Sequence, residues 1–252
     1  MIMKDDPIVF LGMWARSIRY RIKPSIIRLK RKMRSIPKEG IGQELFIILN
    51  APSIKRQDFN YLIGKNTMFV NRGFMHPLYK ELRPKYHVFV DPKLINGIWP
   101  VDWLNEIHML SPTTKILLPI EWSEYSLFRP YLNYIYWLNW SLPYHNLAVA
   151  GSCFAFAIQQ QYKKIYFTGF DANGIAYEMV QADNSHFYGN DVELQGKSTK
   201  QFAIDLYMHS RHLHDLNRLA DYCSKHGVEI INIGEGGLLD MFPREIKLPL
   251  LK

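Results

Sequence analysis

Cysteines and long apolar runs are both scarce in this chain of 252 residues. Its two cysteines, Cys153 and Cys223, are too few for the disulfide framework of a small secreted protein. We find neither a secretory leader nor an apolar stretch of the roughly 18 residues that a membrane-spanning helix needs. Because 48% of the residues are hydrophobic, the chain can form a large core. These features predict a cytoplasmic protein.

The common nucleotide and metal motifs are missing as well. The sequence contains neither the glycine fingerprint of dinucleotide-binding proteins nor a P-loop, so nothing specific indicates NAD or ATP. There is no Asp-x-Asp pair, and Asp171-Ala172-Asn173 is only a partial match. His209, His212 and His214 do not share one helical face, which favours a solvated helix over a metal site. We therefore expect no metal requirement and no other cofactor.

Acidic residues are scarce in one part of the chain. Residues 1–40 contain 11 Lys and Arg but only three Asp and Glu, whereas the remaining residues contain 20 of each sign. The whole net charge of +8 therefore belongs to the first 40 residues. A neutral body argues against a nucleic-acid partner, because such proteins usually carry a basic stripe on the folded domain.

The basic segment, residues 1–40, has a helical pattern. Its apolar residues fall on one face and its basic residues largely opposite, with an expected kink at Pro24; the apolar positions are Leu11, Trp14, Ile18, Ile22, Ile26, Leu29, Met33 and Ile36. This pattern predicts a peripheral anchor on the anionic inner face of the cell membrane. The alternative is that the apolar face docks on the body and the charges are solvated.

From Glu44 onward, strand-like runs alternate with helical patterns. We predict strands at 45–49, 68–70, 87–90, 115–118, 165–168 and 228–233, and helices near 77–82, 101–110, 152–161 and 199–226. This alternation predicts a Rossmann-like α/β domain over residues 41–252, with a mostly parallel sheet and helices on both faces.

Polar residues follow several of the predicted strands. Asn50, Asn71, Asp91 and Asp171 each come just after a strand's last apolar residue, so a parallel sheet would gather them at its carboxyl edge. Any one of them alone could be an Asx turn or a helix cap. Ser53 lies in the turn after the first strand, and Gly151 and Ser152 open a predicted helix whose N–H groups favour a phosphate.

An aromatic-rich stretch, residues 121–146, is consistent with several structural roles. Its rings could form a platform for a sugar acceptor or an interfacial belt, and a core or a subunit contact is equally consistent with the pattern. A homo-oligomer is therefore left open.

Several segments together resemble the bacterial sialyltransferases of glycosyltransferase family 42, which modify lipooligosaccharide. In order along residues 44–245 they are NAPSIK, VNRGF, FVDP, AGSCFAFAIQQQYKKIYFTGFD, NSHFYG and VEIINIGEGGLLDMFPRE. The resemblance implies a GT-A-type variant of the Rossmann-like fold with a short lid loop at about 172–198. It also implies an inverting transfer of sugar from a CMP-sugar donor to a hydroxyl of a lipid-linked or surface glycan.

The resemblance also implies residue roles. Asn50 and Asn71 would bind the donor nucleotide, Gly151 and Ser152 its phosphate or ribose, and Asp171 the base or ribose. Tyr177 would hydrogen-bond the departing phosphate, and His186 would be the general base. Ser53, Asp91, Asn173 and Tyr188 complete the expected donor site.

The donor sugar and the reaction class each have an alternative. Asp91 stands where the family carries Asn, and its carboxylate would repel that of sialic acid, so a related acidic sugar such as Kdo is an alternative. The strand-and-GxD pattern also resembles proteins related to hydroxymethylpterin diphosphokinase, which would need ATP and Mg²⁺ ligands. A non-catalytic, membrane-associated protein would explain residues 1–40 but would leave His186 without a role.

Overall fold

A computed structural model describes residues 37–138, 148–172, 186–189, 198–235, 237–245 and 248–249, with isolated positions before residue 37. The amphipathic helix and most of the lid loop that we predict therefore lie outside the described residues. So do the site candidates Asn173 and Tyr177.

The described chain forms an α/β domain around seven strands. The strands are β1 (Glu44–Ile48), β2 (Thr67–Val70), β3 (Tyr86–Val88), β4 (Lys115–Pro119), β5 (Ile135–Leu138), β6 (Lys164–Thr168) and β7 (Glu229–Asn232). Every pairing between them is parallel, in the order β5-β4-β3-β2-β1-β6-β7. The predicted Rossmann-like fold class is thus confirmed.

Among the described residues, four α-helices and several 3₁₀ turns connect the strands. The helices are α1 (Tyr79–Leu82), α2 (Trp103–Leu110), α3 (Val149–Gln159) and α4 (Thr199–His226). The 3₁₀ turns span Pro52–Arg56, Phe59–Leu62, Asn71–Met75, Ile120–Glu124 and Ser126–Tyr131. α4 has the end signals of a stable helix, with Ser198 as its N-cap and Gly227 in the left-handed conformation at its end.

Alternate residues of each central strand enter two separate cores. In β1, Leu45 and Ile47 pack in the core that α3 and α4 cover, while Phe46 and Ile48 pack in the core beneath α1 and α2. Because both faces are covered, the strands are continuous apolar runs, and this is why the sequence shows them clearly.

Two predictions about elements are corrected. β5 lies inside the aromatic-rich stretch, where we predicted no strand. The helix that we predicted to open at Ser152 begins three residues earlier, at Val149, because Ala148 has extended dihedrals and acts as its N-cap. Trp122 and Phe128 from the same stretch are core residues, which favours the core reading for that part of it.

Candidate active site

The strand order changes direction between the neighbouring strands β1 and β6. From β1 the chain continues to β2 on one side of the sheet, and from β6 it continues to β7 on the other. Parallel α/β sheets usually bind their ligands at such a point. Asn71, Asn50 and Asp171 follow β2, β1 and β6 there, and Asp91 lies two residues beyond Phe89 after β3. These four strands are adjacent in the sheet, so the row of polar residues spans roughly 14 Å at ordinary strand spacing. The structure therefore gathers the four predicted residues at one edge.

Two buried amide oxygens follow the neighbouring strands β1 and β2. Asn50 Nδ2 donates to the carbonyl oxygen of Val70 at 3.2 Å, which links β1 to β2, but Asn50 Oδ1 has no hydrogen-bond partner among the described residues. Asn71 Oδ1 is equally buried and likewise unpartnered within the described chain. A buried oxygen without a donor is costly, so two of them mark a place where a ligand can supply hydrogen bonds.

A buried histidine fixes the backbone of Asn71. His87 Nε2 donates to the Asn71 carbonyl oxygen at 2.8 Å, and Tyr79 OH donates to His87 Nδ1 at 2.9 Å. Burial lowers the pKa of His87 to about 3, so the ring is neutral at physiological pH. Asn71 itself has the left-handed φ of 48°, which asparagine tolerates better than most residues.

The end of β6 lies unusually close to the end of β1. Gly169 has a φ of 71°, and a Cβ there would be 2.4 Å from the Leu49 carbonyl oxygen. Its own carbonyl oxygen accepts a hydrogen bond from Ala51 N at 2.9 Å. This approach brings the buried Ser53 hydroxyl to Asp171, where it donates to Oδ1 at 2.7 Å. Ser53 thus orients Asp171.

The segment His186–Gly189 lies against the same edge. His186 and Gly189 exchange two backbone hydrogen bonds of 3.1 Å, which close a tight turn. Phe187 N donates to the carbonyl oxygen of Asn50 at 3.0 Å. The His186 ring stacks on Tyr188 at 5.0 Å with an interplanar angle of 17°. The turn, with its imidazole and phenol, is therefore attached to the strand end that carries Asn50, whose Oδ1 is the first of the two unpartnered oxygens.

Arg72 is a further candidate that our sequence reasoning missed. Its guanidinium carbon lies 5.3 Å from the Tyr188 ring centroid and 5.4 and 5.6 Å from those of Trp103 and Trp99. Aromatic faces stabilise a cation at such distances. The signal was present, because Arg72 directly follows Asn71, but its three aromatic neighbours lie far from it in the sequence.

The remaining candidates occupy the flanks of the edge. Asp91 Oδ1 accepts from Lys93 N at 3.0 Å, so one carboxylate oxygen forms an Asx turn. Gly151 and Ser152 lie within the first turn of α3, which starts on the carboxyl side of the sheet. Ser152 N already donates to the Ala148 carbonyl oxygen at 3.2 Å, so N–H groups for an anion would have to come from residues before Ser152.

A second neutral histidine lies behind the His186–Gly189 turn. His76 Nδ1 accepts from Leu78 N at 3.2 Å, and its ring packs against those of Phe59 and Phe187. Burial lowers the pKa of His76 to about 4. At neutral pH an uncharged His76 ring therefore packs against Phe187.

Within the described residues, no group of three or more His, Cys, Asp and Glu side chains could hold a metal ion. The same part of the chain contains no helix that is long and apolar enough to cross a membrane.

Comparisons with known proteins include a similar solved structure. No protein-family model matches the chain, and no curated protein matches it at a significant level. The structure is that of the sialyltransferase CstII from Campylobacter jejuni in complex with a substrate analogue, cytidine-5'-monophosphate. The two chains are 16% identical over 80% of this chain and 84% of that one, with a TM-score of 0.45.

Proposed function

We propose that the protein is an inverting glycosyltransferase that uses a CMP-sugar donor. The sugar would be sialic acid or a related acidic sugar such as Kdo, and the acceptor a hydroxyl of a cell-surface glycan. The observation that carries this proposal is the pair of buried, unpartnered oxygens of Asn50 and Asn71 beside the turn that holds His186. This arrangement places two oxygens that need hydrogen-bond donors and one imidazole at the edge of the sheet where such folds usually bind ligands.

The nucleotide would occupy the crevice between the ends of β1 and β6. The oxygens of Asn50 and Asn71 can accept hydrogen bonds from the amino group of cytosine or from ribose hydroxyls. Asp171, oriented by Ser53, offers a second oxygen for another ribose hydroxyl. The first turn of α3 presents its positive dipole end on the same side of the sheet, where it can stabilise the phosphate.

Arg72 supports an acidic donor sugar. Asp91 by itself would repel the carboxylate of an acidic sugar. Arg72 follows the neighbouring strand β2 and carries the opposite charge, so it can attract that carboxylate. Its guanidinium matches a carboxylate in geometry as well as in charge. Asp91 keeps one oxygen in its Asx turn, so its charge is partly offset by a backbone N–H donor.

The chemistry would be a direct displacement with His186 as the general base. The acceptor oxygen forms a bond to the anomeric carbon while the bond from that carbon to the phosphate oxygen breaks, so CMP leaves and the anomeric configuration inverts. The proton of the acceptor hydroxyl passes to the His186 imidazole. Tyr177 would donate to the departing phosphate, as the sequence resemblance implies, and no metal would be needed.

Calorimetric titration of the purified protein with CMP, UMP, GDP and ADP, with and without Mg²⁺, tests the proposal. We expect selective, metal-independent binding of CMP, which Asn50→Ala should weaken by about 10-fold because one ligand hydrogen bond is lost. Selective binding of ADP that requires Mg²⁺ would point to the diphosphokinase-like alternative. If none of the four binds, the non-catalytic alternative gains support and the transferase is rejected.

A further inference from the structure

The side of the sheet opposite the candidate site contains a basic groove. It has a volume of about 910 Å³ and is lined by residues that precede β2, β3 and β4. We call this side, where the strands begin, the amino edge. The lining cations are Lys65, Lys80, Arg83, Lys85 and Lys115, and Glu81 is the lining acid.

Two of these cations are available to a partner. Lys85 and Lys115 form ion pairs with Glu39, the first at 3.4 Å. Lys80 and Arg83 are exposed, and neither has a carboxylate partner among the described residues. Arg83 has a left-handed φ of 44° as the C-cap of α1, a conformation that glycine would adopt more cheaply. The groove therefore keeps a positive surplus in a neutral body.

Exposed apolar side chains lie on the same edge. Ile41 precedes β1 and is 69% exposed, Ile63 lines the groove and is 51% exposed, and Met109 lies in the last turn of α2 and is 73% exposed. Large apolar side chains next to lysines and arginines are typical of surfaces that enter the headgroup layer of an anionic membrane.

The basic N-terminal segment joins the body at this edge too. Gly40 N donates to the Gln160 carbonyl oxygen at 2.8 Å, and a Cβ at Gly40 would be 2.3 Å from Tyr162 N. Burial by itself would raise the pKa of Glu39, but Lys115, Tyr86 and Lys85 outweigh it and hold that pKa below its usual value. Residues 37–40 are thus fixed where the amino edge begins, directly after 36 residues that carry ten Lys and Arg against two Asp.

We propose that the amino edge docks on an anionic phospholipid bilayer, with the groove taking lipid phosphates and with Ile41, Ile63 and Met109 entering the headgroup layer. A phosphate could also come from a small soluble anion. The exposed apolar residues favour the bilayer, because they gain nothing from a soluble anion and do gain from leaving water.

This docking sets the position of the candidate site relative to the membrane. The site lies at the other end of the strands, and a strand of five residues is about 17 Å long. The consequence for the acceptor rests on the proposed function. The acceptor hydroxyl would lie on a sugar of the lipid-linked glycan that is at least one strand length from the bilayer surface.

Charge neutralisation in the full-length protein tests the groove. Binding to vesicles of phosphatidylcholine with 30% phosphatidylglycerol is compared for Lys80→Gln/Arg83→Gln and for Lys55→Gln/Lys200→Gln. The control pair changes the net charge equally but lies on the carboxyl side of the sheet, in the turn after β1 and in the first turn of α4. We expect the groove pair to weaken partitioning by about 30-fold and the control pair by less than about 3-fold.

A fluorescent label tests which edge touches the lipid. Cys153 and Cys223 are buried, so a new exposed cysteine can be labelled selectively with a polarity-sensitive dye. We expect a blue shift with anionic vesicles for the dye on Ile63→Cys, and no shift for the dye on Tyr207→Cys, an exposed position in the first half of α4.

Three results would overturn the proposal. The first is equal weakening by the groove pair and the control pair. The second is a dye at position 63 that stays in water while the vesicles bind. The third is binding of polyphosphate that depends on the groove but leaves that dye unshifted, since this would assign the groove to a soluble polyanion. None of these measurements involves a nucleotide, so failure here is distinct from failure of the proposed transferase.

Discussion

His186 is the residue at which catalysis and binding can be separated by measurement. Its backbone belongs to a turn that Phe187 attaches to Asn50, so the imidazole can be removed without removing that attachment. We expect His186→Ala to reduce transfer by about 10²- to 10⁴-fold, the usual contribution of a general base, and to leave CMP affinity within a few-fold. Single-turnover transfer and calorimetry measure the two quantities.

A matched control is His226→Ala, which removes an exposed imidazole at the far end of α4. It should change neither quantity. A loss of CMP affinity in His186→Ala as large as the loss of rate would instead give His186 a structural role in the donor pocket.

Gly169 is the residue that allows β6 to approach β1. It shares its left-handed φ with Gly97, at 71° and 73°, but only at Gly169 would a Cβ meet backbone atoms. We expect Gly169→Ala to lower the free energy of unfolding by more than about 3 kcal/mol, because backbone strain and a clash add. Gly97→Ala should cost about 1 kcal/mol, since it carries the strain alone. Urea denaturation measures both, and equal costs would contradict the close approach.

At the scale of elements, β3 makes the stability of the protein sensitive to pH. The pKa of His87 falls to about 3 in the fold, whereas an unfolded histidine titrates near 6.5. Below pH 6.5 His87 therefore binds a proton in the unfolded chain but not in the folded chain. The free energy of unfolding is consequently highest above this pH and decreases as the pH falls. His76 acts in the same direction, with its pKa at about 4.

We expect His87 to cost about 2 kcal/mol of stability between pH 7 and pH 5, and His87→Gln to remove that part of the decline. Urea denaturation at the two pH values measures it. A wild-type protein and a His87→Gln variant with the same pH dependence would show that His87 is not buried as a neutral ring.

The elements also show what the sequence could predict. Six of the seven strands were recognisable because both faces of the sheet are covered, so most residues of each strand are apolar. β5 was missed because Ile135-Tyr136-Trp137-Leu138 does not stand out from the aromatic residues around it. The turn after β1 was predicted, but the 3₁₀ conformation of the turns was not, because four to six residues do not establish a period.

The candidate site was only partly predictable for a similar reason. Asn50, Asn71 and Asp171 could be found since the ends of parallel strands share one edge. The pairing of Ser53 with Asp171 depends on the close approach at Gly169, and the surroundings of Arg72 depend on Trp99, Trp103 and Tyr188 meeting in space. Such contacts between distant segments leave no local pattern.

For the whole molecule, the basic groove and the candidate site lie at opposite edges of the sheet. The chain after residue 36 has equal numbers of acidic and basic residues, so its attraction to a bilayer depends on where its cations lie. The groove concentrates them on the edge at which residues 37–40 are attached, and the candidate site occupies the other edge. Residues 1–36 and the groove would therefore pull the same edge toward lipid.

Deletion of residues 1–36 separates the two contributions, because Glu39 and its ion pairs remain with the body. We expect this shortened chain to lose most of its affinity for anionic vesicles, since it loses a charge of +8 and the apolar face that the sequence predicts. A weak remainder should persist, and Lys80→Gln/Arg83→Gln should abolish it. Co-sedimentation with vesicles at low and moderate salt measures this, and thermal melting checks that the shortened chain is folded. Unchanged binding after the deletion would mean that residues 1–36 do not reach the membrane and that their apolar face is engaged elsewhere.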